Sequence, residues 1–504
     1  MTTSVSAQAS TQVVALDGTC PLDRDRLGGK AASINRMRAL GLPGPPAFAI
    51  TTDACARFRD GGAELPDDVW AGVLDALAGI ERATGHTFGD PASPLLVSVR
   101  SGAAQSMPGM MDTVLNLGLT RELTDALAVQ TGDPAWARDT WDRFRRSYAD
   151  VVGLEDGATE PPDDPWRQLR TAIGAVFRSW DSPRARVYRD RHGIDHDLGT
   201  AVTVQAMVFG NRDARSGTGV VFSRDPATGE PVLYGEWMAR GQGEDVVSGA
   251  VTPTPIDAFA QAMPALHAQL RDVAARLEAE YRDMVDIEFT VESGQLHVLQ
   301  VRAGKRSAAA AVRIAVDLVG DGILGEDEAL ALVGVEQAEA LGTGGTTGPA
   351  DAVVLARGTA AGPGVAAGLV VTDPDDALDA DEDAAIVLVR PHTAPDDVPA
   401  MYASVAVVTE HGGTTSHAAL VAREAGLPCV VGCGDGTVAA LAGRRVTVDG
   451  TRGVVLDGDL VTDGDATGPG EAETALRTWA AARLGVDGGS ASLSGLLARV
   501  QRIL

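Results

Sequence analysis

The sequence predicts a multidomain protein of mixed α/β and α+β class. Its 504 residues are more than one hydrophobic core usually organises, so about two or three domains are expected. Apolar strand-like runs alternate with amphipathic helical stretches over residues 16–306, and a compact segment rich in Val, Ala and Gly follows a Gly/Thr-rich break at 341–349. These features favour two folded parts joined by a flexible connection.

The charge and the cysteines exclude several classes of protein. A net charge of −27 argues against attraction to nucleic acid or anionic membrane, so any basic site for phosphate must be local. No apolar run reaches the roughly 18 residues of a membrane span, and no signal-peptide pattern is evident. Cys429 and Cys433 are expected to be buried free thiols rather than parts of a disulfide or zinc site. We therefore expect a cytoplasmic protein.

Apolar runs bounded by turn residues predict the strands. The main candidates are residues 95–99, 201–208, 219–222, 285–291, 296–301, 385–389 and 405–409. Tryptophans and arginines at helical spacing predict that 121–191 is mostly helical, and two short helices are expected at 474–484 and 493–504.

His417 follows a glycine turn and lies at the start of a predicted helix. Residues 409–419 read Thr-Glu-His-Gly-Gly-Thr-Thr-Ser-His-Ala-Ala, and Ser416 or Thr415 can cap the helix that follows. A helix N-terminus carries free N–H groups and partial positive charge, which favour a neutral nucleophilic imidazole and then an anionic phosphohistidine. The alternative is an ordinary surface histidine at a helix cap, which the flanking glycines and hydroxyls disfavour.

Residues 412–423, Gly-Gly-Thr-Thr-Ser-His-Ala-Ala-Leu-Val-Ala-Arg, closely resemble the phosphohistidine signature of phosphoenolpyruvate (PEP)-utilising enzymes. The upstream run 388–398 resembles the swivelling domain of the same family. The resemblance implies that His417 is the phosphorylated nucleophile. His411 stands where relatives usually carry another residue, and a solvated or supporting role is expected for it.

Several glycine-rich stretches in the first half suit phosphate binding. Lys30 follows two glycines before a helix, and Arg100 lies at a strand end beside a hydroxyl and a glycine. A glycine loop at Gly217, Thr218 and Gly219 enters a strand and could cover phosphates with its N–H groups. The stretches containing Glu236 and Gln242 could meet nucleotide or metal. Each motif alone is equally compatible with a structured turn or a solvated loop.

Two strands joined at Ser293-Gly294 carry the clearest polar pattern. Alternation places Asp286 and Glu288 on one face, and likewise Gln300 and Arg302 on one face. Paired carboxylates suit Mg²⁺, and Arg302 could neutralise a phosphate; the alternative is a solvated polar face.

The hairpin register decides whether these four side chains can meet. If all serve one site, Glu288 must oppose an even-numbered residue, which requires an odd-length loop or a bulge around Ser293-Gly294. A simple two-residue turn would pair Glu288 with Leu299 and aim Arg302 away from the carboxylates. We predict the even register.

In this order the segments resemble the ATP-binding half of the pyruvate, phosphate dikinase family, over about residues 16–457. The resemblance implies an ATP-grasp-like fold and a role in contacting ATP or its metal for Lys30, Arg100, Glu288, Gln300 and Arg302, with Asp286 a weaker candidate. Ala31 departs from the family, where glycine is common.

The resemblance sets the expected organisation. We expect a disordered N-terminus at 1–15, an ATP-binding domain at 16–341 with a helical subdomain at about 121–191, and a linker at 342–350. A swivelling phosphohistidine domain at 351–462 and an acidic, Gly-rich linker with helices at 463–504 follow. The relatives continue into a PEP- and pyruvate-binding barrel of about 250 residues, for which the tail is too short.

Three functions remain open at this point. The first is a short dikinase using Mg²⁺, ATP, orthophosphate and pyruvate/PEP, with its acceptor barrel on another chain and a homodimer conceivable. The second is a dikinase of the same chemistry with a different acceptor, such as a small molecule, a glucan or an antibiotic. The third is a non-catalytic nucleotide sensor or phosphocarrier, which is disfavoured because the ATP-site residues and His417 are both present.

Overall fold

A computed structural model describes residues 12–105, 107, 111–154, 160–247, 253–341, 346–347, 352–381, 384–462, 470–487 and 491–504. Most of the predicted linkers lie outside these residues. The chain divides into two compact units, one of residues 1–212 with 291–301 and one of 213–290 with 302–504.

The first unit is built on an antiparallel five-stranded sheet of order β1-β2-β7-β5-β6. The strands of the whole unit are β1 (Val13–Ala15), β2 (Ala47–Ile50), β3 (Thr87–Phe88), β4 (Pro94–Leu95), β5 (Val97–Gly102), β6 (Thr113–Leu117) and β7 (Ala201–Ala206), of which β3 and β4 form a separate two-stranded sheet. Its helices are α1 (Arg24–Ala39), α2 (Thr52–Asp60), α3 (Asp67–Thr84), α4 (Arg121–Thr131), α5 (Pro134–Val151), α6 (Pro165–Ser179) and α7 (Pro183–His192).

The predicted helical stretch at 121–191 is confirmed as α4 to α7 in the residues described there. Three of these helices begin with a proline behind an Asp or Ser cap whose side chain accepts from a helix N–H, which is a strong N-terminal signal. Buried aromatic residues of α5 and α6, such as Phe144 and Phe177, join the core that covers the sheet.

The second unit begins with a sheet of order β10-β9-β8-β11-β12. Its strands are β8 (Gly217–Phe222), β9 (Tyr234–Ala239), β10 (Thr254–Pro255), β11 (Val285–Glu292) and β12 (Gln295–Ala303), and its helices are α8 (Gly243–Val247), α9 (Ile256–Ala262) and α10 (Pro264–Tyr281). The division between the units passes through the β11–β12 hairpin, whose tip at 291–301 is counted with the first unit.

The histidine-bearing part of the second unit is an eight-stranded sheet of order β14-β21-β20-β16-β17-β18-β19-β15. Its strands are β14 (Val354–Arg357), β15 (Thr359–Gly362), β16 (Val365–Val371), β17 (Ile386–Arg390), β18 (Ala406–Thr409), β19 (Cys429–Val431), β20 (Arg445–Asp449) and β21 (Val454–Asp457). Strands β16, β17, β18 and β19 run parallel, and the other pairings are antiparallel.

Four short helices accompany this sheet, and a pair of two-residue strands lies beside the predicted linkers. The strands are β13 (Thr346–Thr347) and β22 (Val461–Thr462), which pair antiparallel, and the helices are α14 (Pro374–Leu378), α15 (Val398–Ala403), α16 (His417–Ala425) and α17 (Thr437–Leu441).

The C-terminal helices pack with the three helices that precede the histidine-bearing sheet. The five are α11 (Ala308–Gly320), α12 (Glu326–Leu332), α13 (Val335–Ala340), α18 (Glu471–Leu484) and α19 (Leu493–Val500). They share one core that contains Leu318, Leu476 and Leu497, and Gln501 donates to the carbonyls of Leu330 and Val333. The predicted terminal helices are thus present, and the final one ends before the last four residues.

The expected fold class is confirmed, and each predicted strand is present within a few residues of its expected bounds. The expectation that Cys429 is a buried free thiol is confirmed, whereas Cys433 is half-buried. Burial raises the pKa of each thiol to about 12, so neither is a reactive thiolate near neutral pH.

Arg224, directly after β8, is almost completely buried in an ionic network. Its guanidinium donates to Glu278 at 2.8 and 2.9 Å, to Asp317 at 3.1 Å and to Asp321 at 3.2 Å. Glu278 is also buried, and the network ties the end of β8 to α10 and α11.

Replacing Arg224 with Met should destabilise the protein by roughly 3–5 kcal/mol, since it leaves Glu278 buried without its cation. The urea midpoint of unfolding measures this. Arg57→Met, which breaks an exposed ion pair with Asp68, is the matched control and should leave the midpoint nearly unchanged. A second change, Glu278→Met, should restore part of the loss. An Arg224→Met midpoint equal to that of Arg57→Met would contradict the expected role.

Candidate functional site

His417 lies where two neighbouring parallel strands end. Arg390 at the end of β17 pairs with Thr409 at the end of β18, so the segments that follow both strands emerge at one edge of the sheet. The segment after β17 supplies Thr393, whose hydroxyl lies 3.1 Å from Nδ1 of His417. Strand order therefore brings together two residues that are 24 positions apart.

The helix begins as the sequence predicted. Ser416 is the N-cap of α16, its Oγ accepts from the N–H of Ala419 at 3.5 Å, and Gly426 in the left-handed conformation ends the helix. The helix start thus fixes the backbone of His417, while Thr393 fixes the orientation of its ring.

The imidazole of His417 is held in its neutral form. Burial lowers the pKa of His417 below its usual value, and the nearby Asp397 carboxylate acts in the opposite direction. Asp397 is itself held in place, because its Oδ2 accepts from the N–H of Ala394 at 2.9 Å. Nε2 of His417 is shielded from solvent and has no hydrogen-bond partner among the described residues. Within the described part of the chain, this nitrogen is therefore shielded but not occupied by a protein donor.

The loop before His417 binds a carboxylate. Glu236 on β9 accepts hydrogen bonds from the N–H of Thr414, from the N–H of Thr415 at 3.2 Å and from the Thr415 hydroxyl at 2.8 Å. Gly413 makes this approach possible, because a Cβ there would lie 1.9 Å from Oε1 of Glu236. Consecutive N–H groups that bind an anion at a helix start form the type of site that also holds phosphate.

The predicted role of Glu236 in binding nucleotide stays a prediction. In this structure both of its oxygens contact the histidine loop, so the carboxylate serves that loop instead of facing solvent. Its side chain is almost completely buried.

The carboxylates of β11 and the arginine of β12 lie on one face, as predicted. Nε of Arg302 donates to Oδ2 of Asp286 at 2.7 Å, and Nη2 of Arg302 lies 3.6 Å from Oε1 of Glu288. Burial raises the pKa of Asp286, and Arg302 acts in the opposite direction. Arg302 therefore compensates a carboxylate that would otherwise be costly to bury as an anion.

Of the two expected causes of that shared face, the odd-length loop is wrong, and the bulge is indicated at a different place from the one expected. Ser293 and Gly294 both have positive φ, which makes a two-residue turn and not an odd-length loop. Buried positions along β12 fall at Leu296 and Val298 and then at Val301, so the alternation shifts by one residue between 298 and 301. The bulge that this shift indicates lies well along the strand, away from the turn, and it returns Arg302 to the face of Asp286.

Asp286 and Glu288 fit the expected Mg²⁺. Mg²⁺ prefers oxygen ligands, and Oδ1 of Asp286 is a buried oxygen with no hydrogen-bond partner among the described residues. Glu288 lies on the same face and is only partly exposed. The donor set and the unsatisfied oxygen are consistent with a cation held there together with substrate phosphates.

The loop expected at Gly217, Thr218 and Gly219 is instead the start of strand β8, and this expectation is wrong. All three residues are buried, and they pair with β9 from Ala239 to Trp237. The glycines make room for aromatic rings, since a Cβ at Gly217 would meet the Trp237 ring at 2.1 Å. A role in covering phosphates stays a prediction for these residues.

Gln242 is buried before α8, where its N–H donates to Asp245 at 2.9 Å. The contact fixes the backbone at the start of that helix. Its predicted role in nucleotide binding stays a prediction.

Lys30 and Arg100 lie on two elements of the first unit that contact each other, α1 and β5. Gly28 has φ of 75° and packs so closely on the end of β5 that a Cβ would lie 1.7 Å from the Gly102 carbonyl oxygen. Lys30 lies against Gly102, and Arg100 shares a strand face with Gly102 two residues earlier. The Gly-Gly-Lys motif does not precede the helix as expected but lies within α1, where a non-helical kink at Gly28 lets the helix pack closely on the end of β5.

The part of β12 that belongs to the first unit contacts helix α1. Ser33 on α1 donates to the Val301 carbonyl at 2.7 Å and accepts from its N–H at 3.2 Å. The neighbouring Gln300 has a shielded Oε1 with no hydrogen-bond partner among the described residues. Arg100 on β5 and Gln300 on β12 thus lie on strands that contact α1, the helix that carries Lys30, and the contacts of all three residues with ATP stay predictions.

The side chain of His411 contacts an exposed carboxylate. Its Nε2 lies 3.2 Å from Oδ1 of the exposed Asp435. Together with Glu410 it forms, among the described residues, a group with metal-ligand side chains, but one Glu410 oxygen already accepts from the N–H of Val438. The solvated or supporting role expected for His411 stays a prediction.

Sequence reasoning missed Thr393, Asp397 and Arg423 as contributors to the histidine site. Thr393 and Asp397 lie in the run 388–398 that was assigned to the swivelling domain, and Arg423 is the last residue of the quoted signature. The signal that could have found the first two was the parallel order of the strands before 391 and 410, since residues following such strands share an edge.

Two parts of the chain match known protein families. Residues 382–453 match the family described as "PEP-utilising enzyme, mobile domain", and residues 61–270 and 265–319 match "Pyruvate phosphate dikinase, AMP/ATP-binding domain". The second match covers about half of the chain, and the chain belongs to the pyruvate, phosphate dikinase family.

Curated relatives agree with this assignment. The chain is 40% identical to a pyruvate, phosphate dikinase of Clostridium symbiosum over 87% of its length and 57% of the relative. It is 40% identical to that of Rhizobium meliloti over 87% of the chain and 56% of the relative, and 41% identical to a chloroplastic one of Arabidopsis thaliana over 86% and 49%. The chain spans about half the length of the curated relatives it matches.

None of the helices in the described part of the chain combines the length and apolar character needed to span a bilayer. The cytoplasmic location expected from the sequence stays a prediction.

Gly413→Ala should release the loop from Glu236, because the added Cβ displaces the carboxylate while the backbone can stay in place. The amides of Thr414 and Thr415 should exchange with deuterium about 10- to 100-fold faster, since a hydrogen bond to a charged group contributes roughly 1.5–3 kcal/mol. Mass spectrometry of peptides covering 412–417 measures this. Gly470→Ala, which enters open space, is the control, and equal exchange in both variants would contradict the contact.

The pKa of His417 should lie below the ~6.5 of an unperturbed histidine, and Asp397→Asn should lower it further. Long-range ¹H–¹⁵N NMR of ¹⁵N-histidine-labelled protein follows the ring, with His417→Asn assigning the signal. The unfolded chain then binds more protons than the native one below about pH 6.5, so stability should fall as pH drops through that value. An Asp397→Asn titration at higher pH than wild type would be the opposite of this expectation.

Proposed function

We propose that this protein transfers phosphate from ATP to His417 and then onward, as a pyruvate, phosphate dikinase-type phosphotransferase. One observation carries the proposal: a buried, neutral imidazole at a helix start has Nδ1 engaged by Thr393 and Nε2 without a hydrogen-bond partner in the part of the chain that the structure describes. Such a ring is oriented to attack with Nε2 while the proton stays on Nδ1, where the Thr393 oxygen accepts it.

In the first step Nε2 of His417 attacks the β-phosphorus of ATP. The new N–P bond replaces the bond from that phosphorus to the oxygen bridging the α- and β-phosphates, so AMP leaves and a pyrophosphoryl-histidine remains. Orthophosphate then attacks the terminal phosphorus, which releases pyrophosphate and leaves phosphohistidine on His417. The proton on Nδ1 stays hydrogen-bonded to Thr393 throughout, which keeps the ring in one orientation.

Charge on the phosphates must be neutralised in both steps. Lys30, Arg100 and Arg302 are the cations proposed for this, with Gln300 as a hydrogen-bonding side chain. Asp286 and Glu288 would hold Mg²⁺, which supplies Lewis-acid neutralisation of phosphate oxygens when bound. Arg302 acts against the burial that raises the pKa of Asp286, and so favours the ionised form that a metal ligand requires.

The phosphohistidine would then serve pyruvate and PEP, through an acceptor domain outside these 504 residues. In the forward direction the enolate oxygen of pyruvate takes the phosphoryl group from Nε2, giving PEP and neutral His417. The relatives' names support this acceptor, and placing it on a separate chain stays a prediction, as does a homodimer. A different acceptor for the same chemistry, or a non-catalytic module, stays open as an alternative.

The histidine-bearing domain has to move for one imidazole to serve ATP and then an acceptor. The match to a domain described as mobile and the solvent-shielded Nε2 support such movement. The predicted Gly/Thr-rich linker at 342–350 would permit it, although most of that stretch lies outside the described residues.

His417→Asn should bind ATP as wild type does but take up no acid-labile label from [β-³²P]ATP, because no imidazole nitrogen is left to attack. Quenched labelling with acid and base stability controls measures this. His411→Asn, on the same loop, is the matched control and should label at the wild-type rate. Acid-labile label in His417→Asn would remove His417 from the mechanism, and absence of label in the wild type would refute the proposed function.

A further inference from the structure

Arg423 joins three parts of the histidine-bearing sheet. It lies on α16, six positions after His417, and its Nη2 donates to the Thr414 carbonyl at 2.7 Å. Its Nη1 donates to the Ala361 carbonyl on β15 at 2.8 Å. One guanidinium thus fixes the turn before His417 against the helix that follows it.

The same guanidinium also lies on the sheet that carries the predicted nucleotide ligands. Its central carbon is 5.3 Å from the ring centroid of Phe222, the last residue of β8, which is a cation–π distance. Burial lowers the pKa of Arg423, whereas Asp286 and Glu236 act to raise it. Both carboxylates belong to the β8–β9–β11 sheet, so the cation is electrostatically matched to that sheet.

Burying this guanidinium lowers the stability of the folded protein. Nε of Arg423 is shielded and has no hydrogen-bond partner among the described residues, and an unsatisfied polar group of this kind costs about 1–3 kcal/mol. A Leu or Met would fill the same volume on Phe222 without that cost. Only a planar fork reaches two carbonyls while stacking on a ring.

We propose that Arg423 is a positioning residue that seats the histidine loop on Phe222, and so presents His417 to ATP in a single orientation. Through the Thr414 carbonyl it sets the turn that begins α16, and through Phe222 it sets where that turn docks. This inference rests on the proposed function, because it assigns Arg423 to the ATP-side step. It predicts that Arg423 matters for transfer from ATP and not for the chemical reactivity of the imidazole.

The test separates docking from reactivity in the full-length chain. Arg423→Met and Arg423→Lys are each labelled with [β-³²P]ATP and, separately, with phosphoramidate, a small donor that phosphorylates histidine without a nucleotide site. Phe222→Leu removes the aromatic seat while keeping Arg423. Arg444→Met, which breaks an exposed ion pair with Asp457 on the same sheet, is the matched control.

We expect the two Arg423 variants to lose about 100-fold in the rate of labelling from ATP, the size of effect that a misplacement of about 1 Å produces. Phosphoramidate should load His417 at the wild-type rate or faster, and the dissociation constant for ATP should change by less than about threefold. Phe222→Leu should show a smaller loss of the same kind, and Arg444→Met none. Circular dichroism verifies folding, and Arg423→Lys supplies the test if Arg423→Met does not fold.

Two results would overturn the proposal. Wild-type labelling from ATP in Arg423→Lys and Phe222→Leu would show that the seat is unnecessary. A parallel loss of labelling from ATP and from phosphoramidate would show that Arg423 only maintains the loop. Phosphoramidate labelling of a wild-type chain that ATP does not label refutes the proposed function, and this inference with it.

Discussion

The parallel pairing of β17 and β18 is the constraint on which the histidine site depends. Because both strands end at one edge, the segments after Arg390 and Thr409 leave the sheet side by side. That arrangement places the Thr393 hydroxyl against Nδ1 of His417 and lets α16 begin at the neighbouring position. A single crossover order thereby sets the ring orientation, the helix start and the shielding that keeps the imidazole neutral.

Protein carboxylates satisfy the donors of the site in this structure. Glu236 binds the amides before His417, and Asp286 binds Arg302. Both pairings resemble what phosphate oxygens would make with the same donors, since carboxylate and phosphate each accept charge-assisted hydrogen bonds. A phosphate that enters such a site replaces an acceptor that is already there. The free-energy cost of removing water from the donors has therefore already been met by folding.

Local pattern predicted the elements, and tertiary order determined which residues met. The cap at Ser416, the strand at 285–292 and the helices at 121–192 follow from spacing and capping residues, which are local properties. Thr393 and Arg423 could not be found in that way, because their partners depend on strand order and on a contact with Phe222. The hairpin is instructive as well: the polar faces predicted an odd-length loop or a bulge around Ser293-Gly294, whereas the turn has two residues and the burial pattern shifts farther along β12, where alternation alone could not place it.

The short β13–β22 ladder gives the histidine-bearing sheet two adjacent attachments instead of one. Thr346 pairs with Thr462, so the chain enters and leaves this sheet at the same point, and the helices on both sides return to one core. A domain connected by one strand can rotate about every backbone torsion of that strand. A domain connected by two paired strands moves mainly by bending of the pair. His417 would then move along an arc. Its effective concentration would be higher at binding sites on that arc than at sites away from it.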